Sequence, residues 1–435
     1  MLGLGVRLPL LARVANSRYP APLRTFWQRV RADSGTMIYM DGATAAYRAT
    51  LAVSPSLLTT ASAYKAGVIY SVLPTDGSGD FDVSRATASV QLNENTLEAV
   101  AANVPVIDTV AGVKGIRVNP QASNLIARFI NFTNAAWAKD NTTVDDNGGA
   151  KYADPAGGLD AYKLIADANN GTISLTTPTT VVSGTTYTNL IYAKRVTGTG
   201  NVSIIDVNNA DRLVTVTDDW TPLIDTRAAT STSGQIGIKL ATAGDEILIY
   251  NANQVAGVID RPVTINASLD GTLVTRNADV ISKTGASALI GQTEGTFFID
   301  FEITQLGLDG CPIVIYNPAA LGGGVQGRIL IQITQDNQIQ ARIQFDSSSG
   351  TYGLFTLGTD RIFKIAIGYK VNNSVIVANG SVKGTRSTTT IPSNLSSINV
   401  GSFQTNAGQS SLIIHDFWLT NTRLSDTELQ QLTTL

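Results

Sequence analysis

From residue 57 onward the chain alternates short apolar runs with turns marked by Gly, Asn and Asp, a period-two pattern that predicts strands rather than helices. LLTTASAYKAGVIYSVLP ends at the turn Thr75 to Asp80, and FDVSRATASVQLNENTLEAVAANVPVID follows it. Over 129–258, strands are predicted in TNLIYAKRV, NVSIIDV, RLVTVTDDWTPLI, SGQIGIKLA and DEILIYNANQVA, at the roughly 10-residue spacing of a sandwich. Over 262–435 the signals are GTFFIDFEIT, a hairpin turning at Asp336-Asn337, and FKIAIGYKVNNSVIVANGSV with turns at Asn372-Asn373 and Asn379-Gly380. One helix is predicted, after Ser425, where Ser at the N-cap and Glu428 three residues on form a capping box. Residues 1–34 hold Pro9, Pro20 and Pro22 and cannot build a core of their own. The expected architecture is all-β: tandem β-sandwiches after an irregular N-terminal arm, with one short C-terminal helix. The expected segments are 1–34, 35–128, 129–258 and 262–435.

Composition sharpens this picture. Charged residues are 15% of the 435, where about 25% is usual, so the surface must be built largely from Thr, Ser, Asn and Gln. Net charge is -3, yet Arg7, Arg13, Arg18, Arg24, Arg29 and Arg31 all precede the first acid, Asp33; residues 1–32 thus carry +6 and leave -9 on the remaining 403. Six charges without a run fit a docking peptide better than a nucleic-acid clamp, so no nucleic-acid partner is expected. Phe26, Trp27 and Val30 would form the apolar edge of a short amphipathic helix over 24–33, burying itself against another chain. No stretch approaches the ~18 apolar residues of a spanning helix. Arg7, Pro9 and Arg13 break the opening apolar run, so neither a signal peptide nor membrane insertion is expected.

Candidate chemistry is sparse. A single cysteine, Cys311, excludes an intrachain disulfide and a thiolate zinc cluster, and a single histidine, His415, excludes multi-histidine metal sites. Asp300 and Glu302 share one side of a strand, as a glycosidase pair would. They fit better as the solvated face opposite Phe301 and Ile303. No glycine run opens a helix after a strand, which removes a phosphate cradle. The loop with Asp140, Asp145, Asp146, Asp154 and Asp160 offers hard oxygen ligands; Asp145 and Asp146 are the candidates for a structural Ca²⁺, with a plain solvated loop as the simpler reading and no other cofactor expected. Trp137, just before that loop, and Tyr152, within it, are the candidates for stacking on a sugar ring, with core packing the competing role for Trp137. Trp220 and Tyr192 lie inside strand patterns and fit the core.

The run from Asp80 to Ile126 resembles a segment of tailed-bacteriophage head and tail appendage proteins. The matching positions are Asp80, Phe81, Ser84, Arg85, Ala86, Val100, Asn103, Pro105, Asp108, Asn124 and Leu125; Val106, Thr109 and Asn119 depart from that pattern. The order Phe132, Trp137, Tyr192, Lys194, Asp219-Trp220-Thr221 and Ile247 to Tyr250 is similar to carbohydrate-binding-module jelly rolls. Residues 262–435 resemble a laminin-G/concanavalin-like sandwich, with Leu424, Ser425 and Glu428 matching its closing helix. These resemblances imply a head or tail fibre or spike component of a virion, without enzymatic activity. It would dock on other virion proteins (capsid, portal or tail) through Arg7, Arg13, Phe26 and Trp27, bind host cell-surface glycan, and assemble as a homo-oligomer, by preference a trimer. The alternatives are a polysaccharide depolymerase using Asp300 and Glu302, and a capsid cement protein that binds no glycan.

Overall fold

A computed structural model describes residues 37–38, 56–65, 67–74, 76–305, 309–320, 327–344, 351–358, 360–388, 390–409 and 411–434, and over them the alternating pattern folds almost entirely into antiparallel strands. The docking residues expected at Arg7, Arg13, Phe26 and Trp27 lie outside the described residues. The protein is all-β, and its strands form two compact units. One contains the described residues up to Arg85 together with Asn103–Pro120 and Ala278–Leu435; the other contains Ala86–Ala102 and Gln121–Asn277.

In the first unit, Glu294–Ile303 lies between Ile362–Lys370 and Leu412–Thr420. The opposing layer runs from Gln338–Gln344 through Arg328–Ile333, Gly310–Tyr316 and Ser397–Val400 to Val280–Lys283. Segments from early in the chain complete it: Phe81–Ser84 pairs with Val280–Lys283, and Val113–Val118 pairs with Leu412–Thr420. Leu57–Lys65 pairs with both Val68–Leu73 and Leu412–Thr420. Between the layers sits a core of Ile, Val, Leu and Phe that includes Phe81, Ile107, Ile116, Phe297, Ile315 and Ile365. Asp300 and Glu302 are half-buried at positions alternating with buried Ile299, Phe301 and Ile303, the arrangement of a strand with one wet face.

The residues of the expected 35–128 segment are thus shared between two units rather than gathered in one. Strand alternation reports which face is buried, and it carries no information on a partner two hundred residues away. Polar groups of the first unit hold the points where the chain leaves and re-enters it. Arg85, fully buried, donates from Nη1 to Asp279 Oδ1 at 2.7 Å, while its backbone N–H donates to Asn103 Oδ1 at 3.0 Å. Asp279 Oδ2 accepts from the backbone N–H and side-chain amide of Asn119 at 2.9 and 3.2 Å. Asn119 Oδ1 in turn accepts from Arg117 Nε at 2.8 Å, and Arg117 Nη1 reaches Asp108 Oδ2 at 3.3 Å. An acid at 119 would set a second carboxylate beside Asp279; asparagine gives to Asp279 and accepts from Arg117, which accounts for its presence there.

The second unit is a jelly-roll-like sandwich of two five-stranded antiparallel sheets. One sheet orders Trp137–Asp140, Gly171–Leu175, Gly237–Leu240, Val202–Ile205 and Asp211–Val214; the other orders Thr142–Asp145, Tyr162–Ala166, Glu246–Ala256, Thr186–Thr197 and Thr221–Ala228. The hairpin of Ser89–Asn93 and Thr96–Val100 belongs to this unit and adds Val90 and Leu97 to its core.

Turn chemistry follows the sequence. Asn379 and Gly380 both take left-handed φ, +48° and +73°, as a type I′ hairpin turn requires; at Asn372-Asn373 only Asn372 is left-handed. The α-helix Asp426–Leu432 begins on the expected capping box: Ser425 N–H donates to Glu428 Oε2 at 2.7 Å, and Glu428 N–H donates to Ser425 Oγ at 3.3 Å. Its Leu429 is fully buried. Ser425→Ala should lower stability by about 1 kcal/mol, the usual loss of an N-cap, read as the thermal midpoint of the full chain. The Ser425 hydroxyl and N–H hold the Glu428 carboxyl below the usual carboxylate range. A depressed folded pKa gives stability that is present above the unfolded value of about 4.3 and lost as pH falls through the folded one, so the effect of the substitution should shrink in acid.

Candidate functional site

Tyr152 lies in the loop between Thr142–Asp145 and Tyr162–Ala166, which are paired in the register Asp145↔Lys163. That register sets an acid directly opposite a base, and an isolated bridge between Tyr152 and Ala161 folds the loop back over the pair. The Tyr152 hydroxyl donates to Asp145 Oδ2 at 2.5 Å, and Lys163 Nζ stands 5.8 Å from the Tyr152 ring centroid. Lys163 also faces two carboxylates, Asp145 at 3.7 Å and Glu246 at 3.5 Å. Lys151 donates to Asp160 at 2.6 Å, with its ammonium 5.6 Å from the centroid of Tyr162. The hydrogen bond from Tyr152 holds the Asp145 carboxyl below the usual carboxylate range, and the same bond lifts the Tyr152 phenol above its own. Tyr152 is therefore a neutral, tethered, half-buried ring among fixed charges, suited to packing against an apolar face while neighbours hydrogen-bond polar groups.

The loop organises itself through its own aspartates. Asp154 accepts from the N–H groups of Ala156, Gly158 and Asp160 at 2.7, 3.1 and 2.9 Å, and Asp146 accepts from Gly149 N–H at 3.1 Å. Asp145 also takes the N–H of Asn147 at 2.9 Å. The oxygens on which a Ca²⁺ site at Asp145 and Asp146 would draw thus serve backbone donors, a phenol and an ammonium. Among the described residues no group of three or more His, Cys, Asp or Glu is arranged to hold a metal ion.

Of the two roles open to it, Trp137 takes core packing and not sugar stacking. Only 2% of it is exposed, its ring packs on Phe132 at 5.0 Å between centroids, and its indole N–H donates to the Arg128 carbonyl at 2.9 Å. It has no free face for a sugar, because it is buried in the core of the sandwich against Phe132, which in turn meets Tyr162 edge-on at 6.0 Å between centroids. Tyr192 is buried as well, and Trp220 is half-buried edge-on to Tyr250 at 6.5 Å. His415 is half-buried, its Nδ1 3.4 Å from the Lys114 carbonyl.

Sequence reasoning missed Lys163, Lys151 and Glu246. Their signal was present in part: alternation in YKLIA puts Lys163 opposite to Tyr162 and Leu164. That Lys163 would face Asp145 and Tyr152 needed the strand register, which the pattern does not give.

No protein-family model matches the chain, and no curated protein matches it. Among solved structures, it is similar to a carbohydrate-binding module, CBM40, of the Ruminococcus gnavus IT-sialidase bound to α2,3 sialyllactose, at 14% identity over 33% of this chain and 84% of that one, with a TM-score of 0.28. It is also similar to a Trypanosoma rangeli sialidase mutant displaying trans-sialidase activity, at 11% identity over 35% of this chain and 25% of that one, with a TM-score of 0.28. A leech intramolecular trans-sialidase aligns at 17% identity over 33% of this chain and 24% of that one, with a TM-score of 0.27. At these values the likeness transfers no residue and no activity to this chain.

Proposed function

We propose that the protein is a glycan adhesin of a bacteriophage virion, a head or tail fibre component that docks through its basic N-terminal segment and binds host-surface sugar through the second unit, without chemistry of its own. The observation that carries the sugar-binding part is the tethered, half-buried Tyr152 ring bordered by Asp145 and Lys163. Sugars offer a C–H face and a fringe of hydroxyls, and an aromatic ring set among fixed donors and acceptors meets both. The virion part is supported by the phage-like run from Asp80 to Ile126, whose Arg85 and Asp108 lie in the buried polar network of the first unit, with exposed Asn103 accepting from the Arg85 backbone N–H. Single contacts of this kind are weak, and several copies on one particle would supply avidity.

The test is binding of the intact chain to immobilised host-surface glycans, with virions labelled in parallel by an antibody to the first unit. Tyr152→Ala should weaken binding about fivefold, the equivalent of about 1 kcal/mol for a lost aromatic contact. Lys163→Gln should weaken it as well, with the thermal midpoint of each variant measured alongside. Absence of binding to any glycan by the wild-type chain would overturn the reading.

A further inference from the structure

The second unit has a cavity of about 270 Å³ that shares no residue with the Tyr152 cluster. Leu125, Ile126, Ala136, Leu175 and Pro178 give it aliphatic walls, and Arg128 is its one charged lining residue. The guanidinium is held in place from one side. Arg128 Nη1 lies 3.4 Å from both the carbonyl and Oδ2 of Asp270, and Asp270 Oδ1 is itself fixed by the N–H of Ile130 at 2.8 Å and of Asn131 at 3.4 Å. The Nε and Nη2 donors of Arg128 have no partner among the described residues, and its side chain keeps 41% of its exposure. Those two donors form the edge of a guanidinium that grips a carboxylate with two parallel hydrogen bonds. The backbone N–H groups of Ala127 and Arg128 likewise have no partner among the described residues.

We propose that this cavity binds a hexuronic acid, a single sugar ring bearing a carboxylate, with the ring's C–H face on the aliphatic walls and the carboxylate on the Nε/Nη2 edge of Arg128. The volume suits one ring rather than an oligosaccharide, since pockets for larger ligands run from about 300 to 1,000 Å³. A purely apolar ligand would leave the guanidinium edge unused, and an inorganic anion would leave the aliphatic walls bare. The inference deepens the reading of this unit as a sugar-binding one and assigns it a second, acidic-sugar site.

The intact chain titrated calorimetrically with galacturonic and glucuronic acid, and with galactose and glucose as neutral counterparts, tests it. The Trp137 indole, hydrogen-bonded to the Arg128 carbonyl, adds a fluorescence reporter beside the cavity. At least one uronic acid should bind ten times or more tightly than its neutral hexose. Arg128→Gln should remove that preference, and Arg128→Lys should retain part of it. Because Arg128→Gln also breaks the link to Asp270, Ala136→Phe, which fills the cavity and spares the guanidinium, provides an independent block. Equal affinity for acid and neutral sugar, or uronate binding unaffected by both Arg128→Gln and Ala136→Phe, would overturn the proposal. No uronate binding by a chain that still binds immobilised glycan through Tyr152 would sink the cavity site alone and leave the adhesin reading standing.

Discussion

Asp279→Ala should destabilise the first unit by about 3–5 kcal/mol, the scale of a buried ion pair broken from one side. Arg85 would keep its charge with its side chain fully buried and lose the carboxylate at 2.7 Å. Both donors of Asn119 would lose their acceptor at the same time. A buried guanidinium that loses this carboxylate, together with two donors that lose their acceptor, costs more than the net value of the pair that held them. Hydrogen exchange is the appropriate measurement, because a chain with two units need not unfold in one step. Protection should fall first in Phe81–Ser84 and Val280–Lys283, which are paired beside the network. The double replacement Arg85→Met with Asp279→Leu should recover much of the loss, since it removes both charges and restores bulk. A loss below about 1 kcal/mol for Asp279→Ala, read against that scale, would mean that the network contributes little to the unit.

What the sequence made legible was local. Period-two alternation located the strands, Asn379-Gly380 announced a type I′ turn, and the pair Ser425 and Glu428 marked a helix start; each is a relation between residues a few positions apart. The division into units depends on pairings such as Val83 with Ile281 and Ile116 with Ile414, which join segments by fit of their buried faces. Many strands of this chain present equivalent Ile- and Val-rich faces, so alternation alone does not select among partners. The Tyr152 cluster shows the same limit. The aspartates of the loop were visible as a composition, yet their spending on Ala156, Gly158, Asp160 and Tyr152 follows from how the loop folds back on Lys163. Arg128 gave no signal at all, because nothing around it in the sequence announces the cavity that its side chain borders.

Trp137 shows what that limit means for an aromatic residue, and Trp137→Ala should cost about 3–5 kcal/mol in the second unit, as large-to-small changes in a packed core do. The substitution empties the space against Phe132 and leaves the Arg128 carbonyl without the indole donor at 2.9 Å. Trp137↔Leu175 opens the register of the pair Trp137–Asp140 and Gly171–Leu175, so exchange protection should fall along both strands. Trp137→Phe separates the two contributions: it keeps most of the packing, loses the hydrogen bond, and should cost nearer 1 kcal/mol beyond the volume change. Tyr152→Ala, at a half-buried position in the loop, should leave the exchange of those strands near its wild-type level while weakening glycan binding. If Trp137→Ala melted as the wild type does and lost sugar affinity alone, the indole would have to be a contact surface, against its 2% exposure. The expected result is the reverse: any glycan affinity lost with Trp137 should track the fraction of the second unit that has unfolded, whereas affinity lost with Tyr152 should appear at temperatures where that unit is intact.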